Sequence, residues 1–177
     1  MNIDYSEYTT YDKLEKLNVS FIGNPSKDLE TDIYNVYFES PITIQLPKSK
    51  LEEIVENEYE KYIAKYIIKD TMLLEFFDNM DALIINLSNK YSMKWFGKNL
   101  DQKILIQFYE NLYNIENDQK YLEFLVDDDD LLEELTEYNI DDDLDISVSL
   151  VSIEIYKQQY RVLLKLDSLD YENDEIV

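Results

Sequence analysis

The chain of 177 residues contains no cysteine and no histidine, and only two glycines, Gly23 and Gly97. Without thiols or imidazoles, disulfides, Ser-His-Asp and Cys-His nucleophiles and His/Cys metal sites are all excluded. Phosphate-cradling loops of the Walker or dinucleotide type need clustered glycines, which two isolated ones cannot supply. Arginine is nearly missing too, Arg161 being the single copy among 16 basic residues. No apolar run approaches the ~18 residues of a membrane-crossing helix. The stretch Met1 to Lys16 has no apolar signal-peptide core. These absences point to a non-enzymatic binding protein with no cofactor, kept in a cytosol-like setting away from membranes.

What the chain has in abundance is acid: 39 Asp and Glu against 16 Lys and Arg, net −23. High net charge accompanies disorder when apolar residues are scarce. Here 45% of residues are hydrophobic and 14% aromatic, which is ample for a core. The charge is uneven. Residues 1–114 hold 19 acids and 12 lysines, whereas residues 115–177 hold 20 acids and four bases. One folded domain with an acidic face and tail accounts for this distribution.

Hydrophobic patterning divides the chain into a polar segment over 1–33, a single α+β domain over 34–168 and an acidic tail over 169–177. Residues 24–32 read as a loop. Val36, Phe38, Ile42, Ile44 and Leu46 alternate, but Pro41 and Pro47 make this an edge or bent strand. Leu51, Ile54, Val55, Tyr59, Tyr62, Ile63, Tyr66 and Ile67 keep helical spacing, which favours a helix over 51–69. The alternation Tyr62, Ala64, Tyr66, Ile68 keeps a strand open as the other choice. The wide apolar stripe of 72–90 predicts a buried helix capped by Asp70 or Thr71. A second helix is predicted over 101–113, a short strand over 121–126, and a loop or helix N-terminus at 127–130. At the end, Ile146, Val148 and Leu150 change phase to Val151, Ile153 and Ile155, as a β-bulge requires. Tyr160, Val162, Leu164 and Leu166 then complete a hairpin.

The Asp runs fail as calcium loops. With Asp141, Asp143 and Asp145 at positions one, three and five, Ile146 falls where glycine is needed and Ser152 where glutamate is needed. The exception to the acid is more informative. Between Lys90 and Lys103 stand four lysines and one acid, Asp101, interleaved with Tyr91, Trp95 and Phe96. Lysines among rings suit a single-stranded nucleic-acid groove, through phosphate attraction and base stacking. They equally suit a core plug at a helix end, with Gly97 as C-cap and the lysines in solvent. Tyr156 and Tyr160 flank the last turn beside Lys157 and Arg161, where exposed rings could stack bases or anchor a partner.

The segments Phe76-Phe77-Asp78-Asn79-Met80-Asp81-Ala82-Leu83-Ile84-Ile85 and Lys94-Trp95-Phe96-Gly97-Lys98-Asn99-Leu100 resemble a poorly characterised family of nucleocytoplasmic large DNA viruses. Pro41-Ile42-Thr43-Ile44-Gln45-Leu46-Pro47 resembles its opening strand, and Val151 to Leu166 its closing hairpin. The family is similar to phage-type single-stranded DNA-binding proteins. The resemblance implies an antiparallel OB-like β-barrel or sheet with helices inserted between strands, and a strand at 59–69. It also implies nucleic-acid binding by Lys94, Trp95, Phe96, Lys98, Tyr156 and Tyr160, with an acidic tail from Asp167 to Glu175 that engages partners. The setting it implies is the viral factory of the host cytoplasm, or the virion. Two departures, the glycine-free turn at 156–160 and the heavy acid of 115–145, motivate an alternative. That alternative is an acidic virion, assembly or nucleic-acid-mimic protein. It would bind a basic viral or host protein through Asp127, Asp128, Asp129, Asp130, Asp141, Asp142 and Asp143.

Overall fold

A computed structural model describes residues 1–49, 51–137, 144–157 and 159–170. The 20-residue helix α2 (Thr71–Lys90) organises the core. Asp70 caps it, its carboxylate accepting the Met72 amide at 2.9 Å. Leu73, Phe76, Phe77, Met80 and Ile84 fall on one stripe and are fully enclosed. This helix shares one hydrophobic core with a mixed sheet of nine strands among the described residues. These are β1 (Asn2–Ile3), β2 (Phe21–Lys27), β3 (Tyr34–Gln45), β4 (Leu51–Glu56), β5 (Tyr62–Ile67), β6 (Tyr113–Glu116), β7 (Gln119–Val126), β8 (Asp145–Tyr156) and β9 (Gln159–Asp170). The spatial order is β1-β3-β8-β9-β7-β5-β4, with β2 paired to β3 and β6 to β7.

The fold is α+β with helices inserted between strands, as expected. The sheet is open and mixed rather than antiparallel, because β1 pairs parallel to β3 and β7 parallel to β9. The second parallel contact arises because β8 and its antiparallel return, β9, are inserted between β3 and β7. The expected bend in the first long strand is present as a register shift between Tyr37 and Ile42, around Pro41. That strand is not an edge, since β1 and β2 cover one side and β8 the other. The phase change in the last hairpin is likewise a register shift, between Leu150 and Ser152.

Residues 51–69 form the hairpin β4–β5, not a helix. The turn supplies the reason: the Asn57 side chain accepts the Tyr59 and Lys61 amides, both at 3.0 Å, and Glu60 takes a left-handed φ of 59°. The predicted loop at 24–32 is partly the irregular strand β2. The N-terminal 33 residues are not a separate polar segment. They add β1, β2 and the short helix α1 (Tyr11–Glu15), whose Leu14 is fully enclosed in the common core. The helix expected at 101–113 is shorter, α4 (Gln102–Phe108). The acid run opens α5 (Asp129–Glu137), with Asp128 accepting the amides of Asp130 and Leu131. β9 continues to Asp170, so residues 169–170 belong to the sheet; the rest of the tail, 171–177, lies outside the described residues.

Candidate functional site

The basic window lies where α2 gives way to the five-residue helix α3 (Ser92–Phe96). Hydrogen bonds from Tyr91 N to Leu87 O and from Trp95 N to Tyr91 O, both 2.9 Å, carry the helical turn across the junction. Gly97 then stops the helix at φ 72°, its amide bonding Met93 O at 3.0 Å, the left-handed cap that glycine provides without Cβ strain. The Ser92 hydroxyl accepts the Leu100 amide and the Asn89 side chain donates to the Leu100 carbonyl, so the following loop is pinned back onto the helices.

This geometry separates the rings from the lysines. Trp95 is only 6% exposed, its ring edge-on to Phe21 at 4.9 Å and stacked on Tyr91 at 5.7 Å. Tyr160 is 1% exposed, its hydroxyl paired with Ser88 Oγ at 2.9 Å and donating to Leu105 O at 3.1 Å. Both are parts of the core: Trp95 because a helix as short as α3 is held by burying its large ring, and Tyr160 because its β9 position turns the ring inward, where its hydroxyl finds partners. Phe96 is half-buried and meets Tyr160 edge-on at 5.2 Å. Lys90, Lys94, Lys98 and Lys103 are exposed, and among the described residues none of them has a carboxylate within ion-pair distance.

Beside α3 opens a cleft of about 630 Å³ between the α3–α4 loop and the tip of the β8–β9 hairpin. Trp95, Phe96, Leu105 and Tyr160 lie along it, with Tyr34 and Phe108 as further ring walls. Lys98 and Lys157 line it, and its single acid, Asp32, is already paired with Lys27 at 3.5 Å. Four of the six residues expected to bind nucleic acid therefore share one cleft. Lys94 stands outside it, and Tyr156 faces a separate 190 Å³ depression with the Lys157 ammonium 5.0 Å from its ring centre. Tyr34, Phe108 and Lys157 complete the cleft. The phase of β3 and the position of Lys157 in the turn were the only sequence signals for two of them.

The acidic residues expected to engage a partner have mixed roles. Asp127 pairs with Lys165 at 2.7 Å and Asp128 caps α5. Asp129 and Asp130 are exposed on the first turn, where carboxylates suit the helix dipole. Asp141, Asp142 and Asp143 lie outside the described residues.

The most perturbed acid is elsewhere. Asp81 of α2 is buried, and its Oδ1 accepts the Tyr109 hydroxyl at 2.6 Å and the Leu112 amide at 3.0 Å. Desolvation pushes its pKa up to about 7 against those two hydrogen bonds, with the nearby charge of Asp78 acting in the same upward direction. It clamps α4 and the approach to β6 onto α2, a structural task. Among the described residues no group of three or more acidic side chains is placed to hold a metal ion, and no helix is long and apolar enough to cross a membrane. No known protein family, curated protein or solved structure matches the chain.

Proposed function

We propose that the protein is a non-enzymatic binding protein on an OB-like frame, holding single-stranded nucleic acid along Lys90, Lys94 and Lys98 and in the adjoining cleft. The carrying observation is a ring-lined cleft with Lys98 and Lys157 on its walls, next to exposed Lys90 and Lys94 that make no ion pair among the described residues. A phosphate backbone would follow these lysines, and a base would rest on the exposed parts of Phe96, Tyr34 and Phe108 rather than on Trp95 or Tyr160. Strand order supports the OB-like frame. β3 runs through Leu46 and Pro47 into β4, and the two arms pair at opposite sides of the sheet, one with β8 and one with β5. Counting them as one bent strand, the order is first, second, third, fifth, fourth and first again, with third and fifth parallel and α5 between third and fourth. This order and the parallel third–fifth contact support reading the frame as a Greek-key path of the OB type. On the resemblance of residues 36–168, its setting is the replication site or virion of a large DNA virus.

Anisotropy titrations with oligo-thymidine at low salt test this. Three or four phosphate contacts give a slope of log affinity against log salt of about −2 to −3. The pair Lys94→Glu/Lys98→Glu should abolish binding while leaving the fold intact. No binding by the wild-type chain in low salt sinks the proposal.

A second reading is a basic protein partner for the acidic surface. Asp129, Asp130, Glu133 and Glu137 are exposed on α5 and make no ion pair among the described residues, so a cationic surface would meet them unscreened. Capture of basic proteins should fall when Asp127 to Asp130 are changed to asparagine, and capture that is unchanged argues against it.

A further inference from the structure

The outer face of the sheet, opposite α2, carries a feature that neither the acid runs nor the basic window contains. Following the register across the strands, Ile22 of β2 lies against Tyr37 of β3, which lies against Ser152 of β8 and then Leu163 of β9. On the far side, Leu125 of β7 opposes Ile63 of β5, which opposes Val55 of β4. Leu125 pairs with Lys165, two residues along from Leu163, so the two halves meet on one face. Apolar side chains thus lie on both halves of this face, interrupted at β8 by the buried Ser152, with Ile22 58%, Tyr37 45% and Val55 49% exposed. The middle of the face lies in a groove of about 460 Å³.

Four acids line the groove against three cations, of which Arg161 and Lys165 are engaged by carboxylates, while Lys61 makes no ion pair among the described residues. Asp28, Glu110, Glu123 and Glu154 line it. Arg161 donates from Nε to Glu154 at 2.8 Å and lies 3.6 Å from Glu110. Lys165 is held by Asp127 at 2.7 Å. A phosphate would have to displace carboxylates here, which the chain's net −23 makes costly. A cation is favoured instead. The molecule's own lysines already rest on tyrosine faces nearby, Lys65 4.1 Å from the Tyr121 ring centre and Lys157 5.0 Å from that of Tyr156.

We infer that this groove docks an extended, lysine- or arginine-bearing segment of a partner protein, its apolar side chains on the apolar positions of this face and its cations on the ring of Tyr37 and on the exposed Glu123, which is unpaired among the described residues. This rests on the reading of a basic protein partner and moves the contact from α5 to the sheet face. Strands lie about 4.8 Å apart, so the face from β2 to β4 spans roughly 25–30 Å, the reach of about eight or nine extended residues.

The test is anisotropy of a short fluorescein-labelled peptide alternating lysine and leucine, added to the full chain, with an alternating glutamate–leucine peptide and oligo-thymidine as comparison probes. The cationic peptide should bind saturably, and Tyr37→Ala with Glu123→Gln should weaken it about tenfold. Removing charge from α1, by Asp12→Asn with Glu15→Gln, or reversing Lys98→Glu in the cleft should change it by less than about twofold, the range of a rim charge. Circular dichroism checks that each variant is folded. Equal loss from the α1 variant, or equal binding of the glutamate peptide, overturns the groove. If Asp127–Asp130 neutralisation abolishes peptide binding and Tyr37→Ala does not, the partner reading survives and the groove falls. Oligo-thymidine binding that is lost on Tyr37→Ala assigns the groove to nucleic acid and overturns the inference.

Discussion

Asp81 makes a sharp prediction for a single side chain. Its carboxyl titrates near 3.8 when solvated and near 7 when buried in the fold. The folded state therefore holds this proton more tightly than the unfolded state, and the associated stability is complete below about pH 4. It is lost as pH rises through 7, by at most ~1.4 kcal/mol per pH unit. Asp81→Asn keeps an oxygen for Tyr109 and Leu112 but cannot ionise. In urea melts at pH 5 and pH 8 the variant should gain on the wild type as pH rises; a constant difference would show that Asp81 is not the titrating group. Trp95 belongs to the same scale. Burial against Phe21 and Tyr91 means that Trp95→Ala should cost about 3–5 kcal/mol, read by denaturation, so its loss of ligand would report unfolding. Here the sequence was ambiguous for a physical reason. A ring between lysines is written the same way whether the ring faces the core or a ligand, and only the helix junction at Tyr91 turns Trp95 inward.

At the scale of elements, caps and turns carried more information than periodicity. Asp70 was legible as the cap of α2, and it also accepts the Tyr5 hydroxyl at 2.6 Å, tying the N-terminal segment to the helix start. Burial and this carboxylate together push the Tyr5 phenol well above its usual range. Asp70→Ala should cost ~1–2 kcal/mol, more than a cap alone, and part of that should vanish in a Tyr5→Phe background. Additivity of the two substitutions in urea melts would refute the coupling. The bulge at Leu150–Ser152 was equally visible, since a phase slip has no other cheap explanation. The hairpin β4–β5 was hidden because its apolar residues satisfy helical and strand spacing at once. Asn57 could have decided it, as a side chain that satisfies two turn amides holds a reversal that a helix forbids. Asn57→Ala should therefore lower stability by ~1–2 kcal/mol; an unchanged melting midpoint would mean that the strands alone set the turn.

For the whole molecule, the net charge of −23 acts in opposite directions on folding and on binding. The total was plain in the sequence, but its arrangement was not, because pairing depends on which strands become neighbours. Lys65 sits between Glu52 of β4 and Glu116 of β6, contacts across three strands that no local pattern reveals. With Lys65, Arg161 and Lys165 of the sheet engaged in this way, the excess acid is left exposed and repels itself, which penalises the compact state at low ionic strength. Raising sodium chloride from about 10 mM to 300 mM shortens the screening length from ~30 Å to ~6 Å. The thermal midpoint should rise over that range, because more repulsion is screened than attraction. Oligonucleotide binding on the Lys90–Lys98 ridge should fall over the same range as counterion release loses its gain. Differential scanning calorimetry and anisotropy on one salt series separate the two effects. A midpoint that falls with salt would mean that the ion pairs around Lys65, Arg161 and Lys165 outweigh the repulsion, and that the acid is better compensated than its total implies.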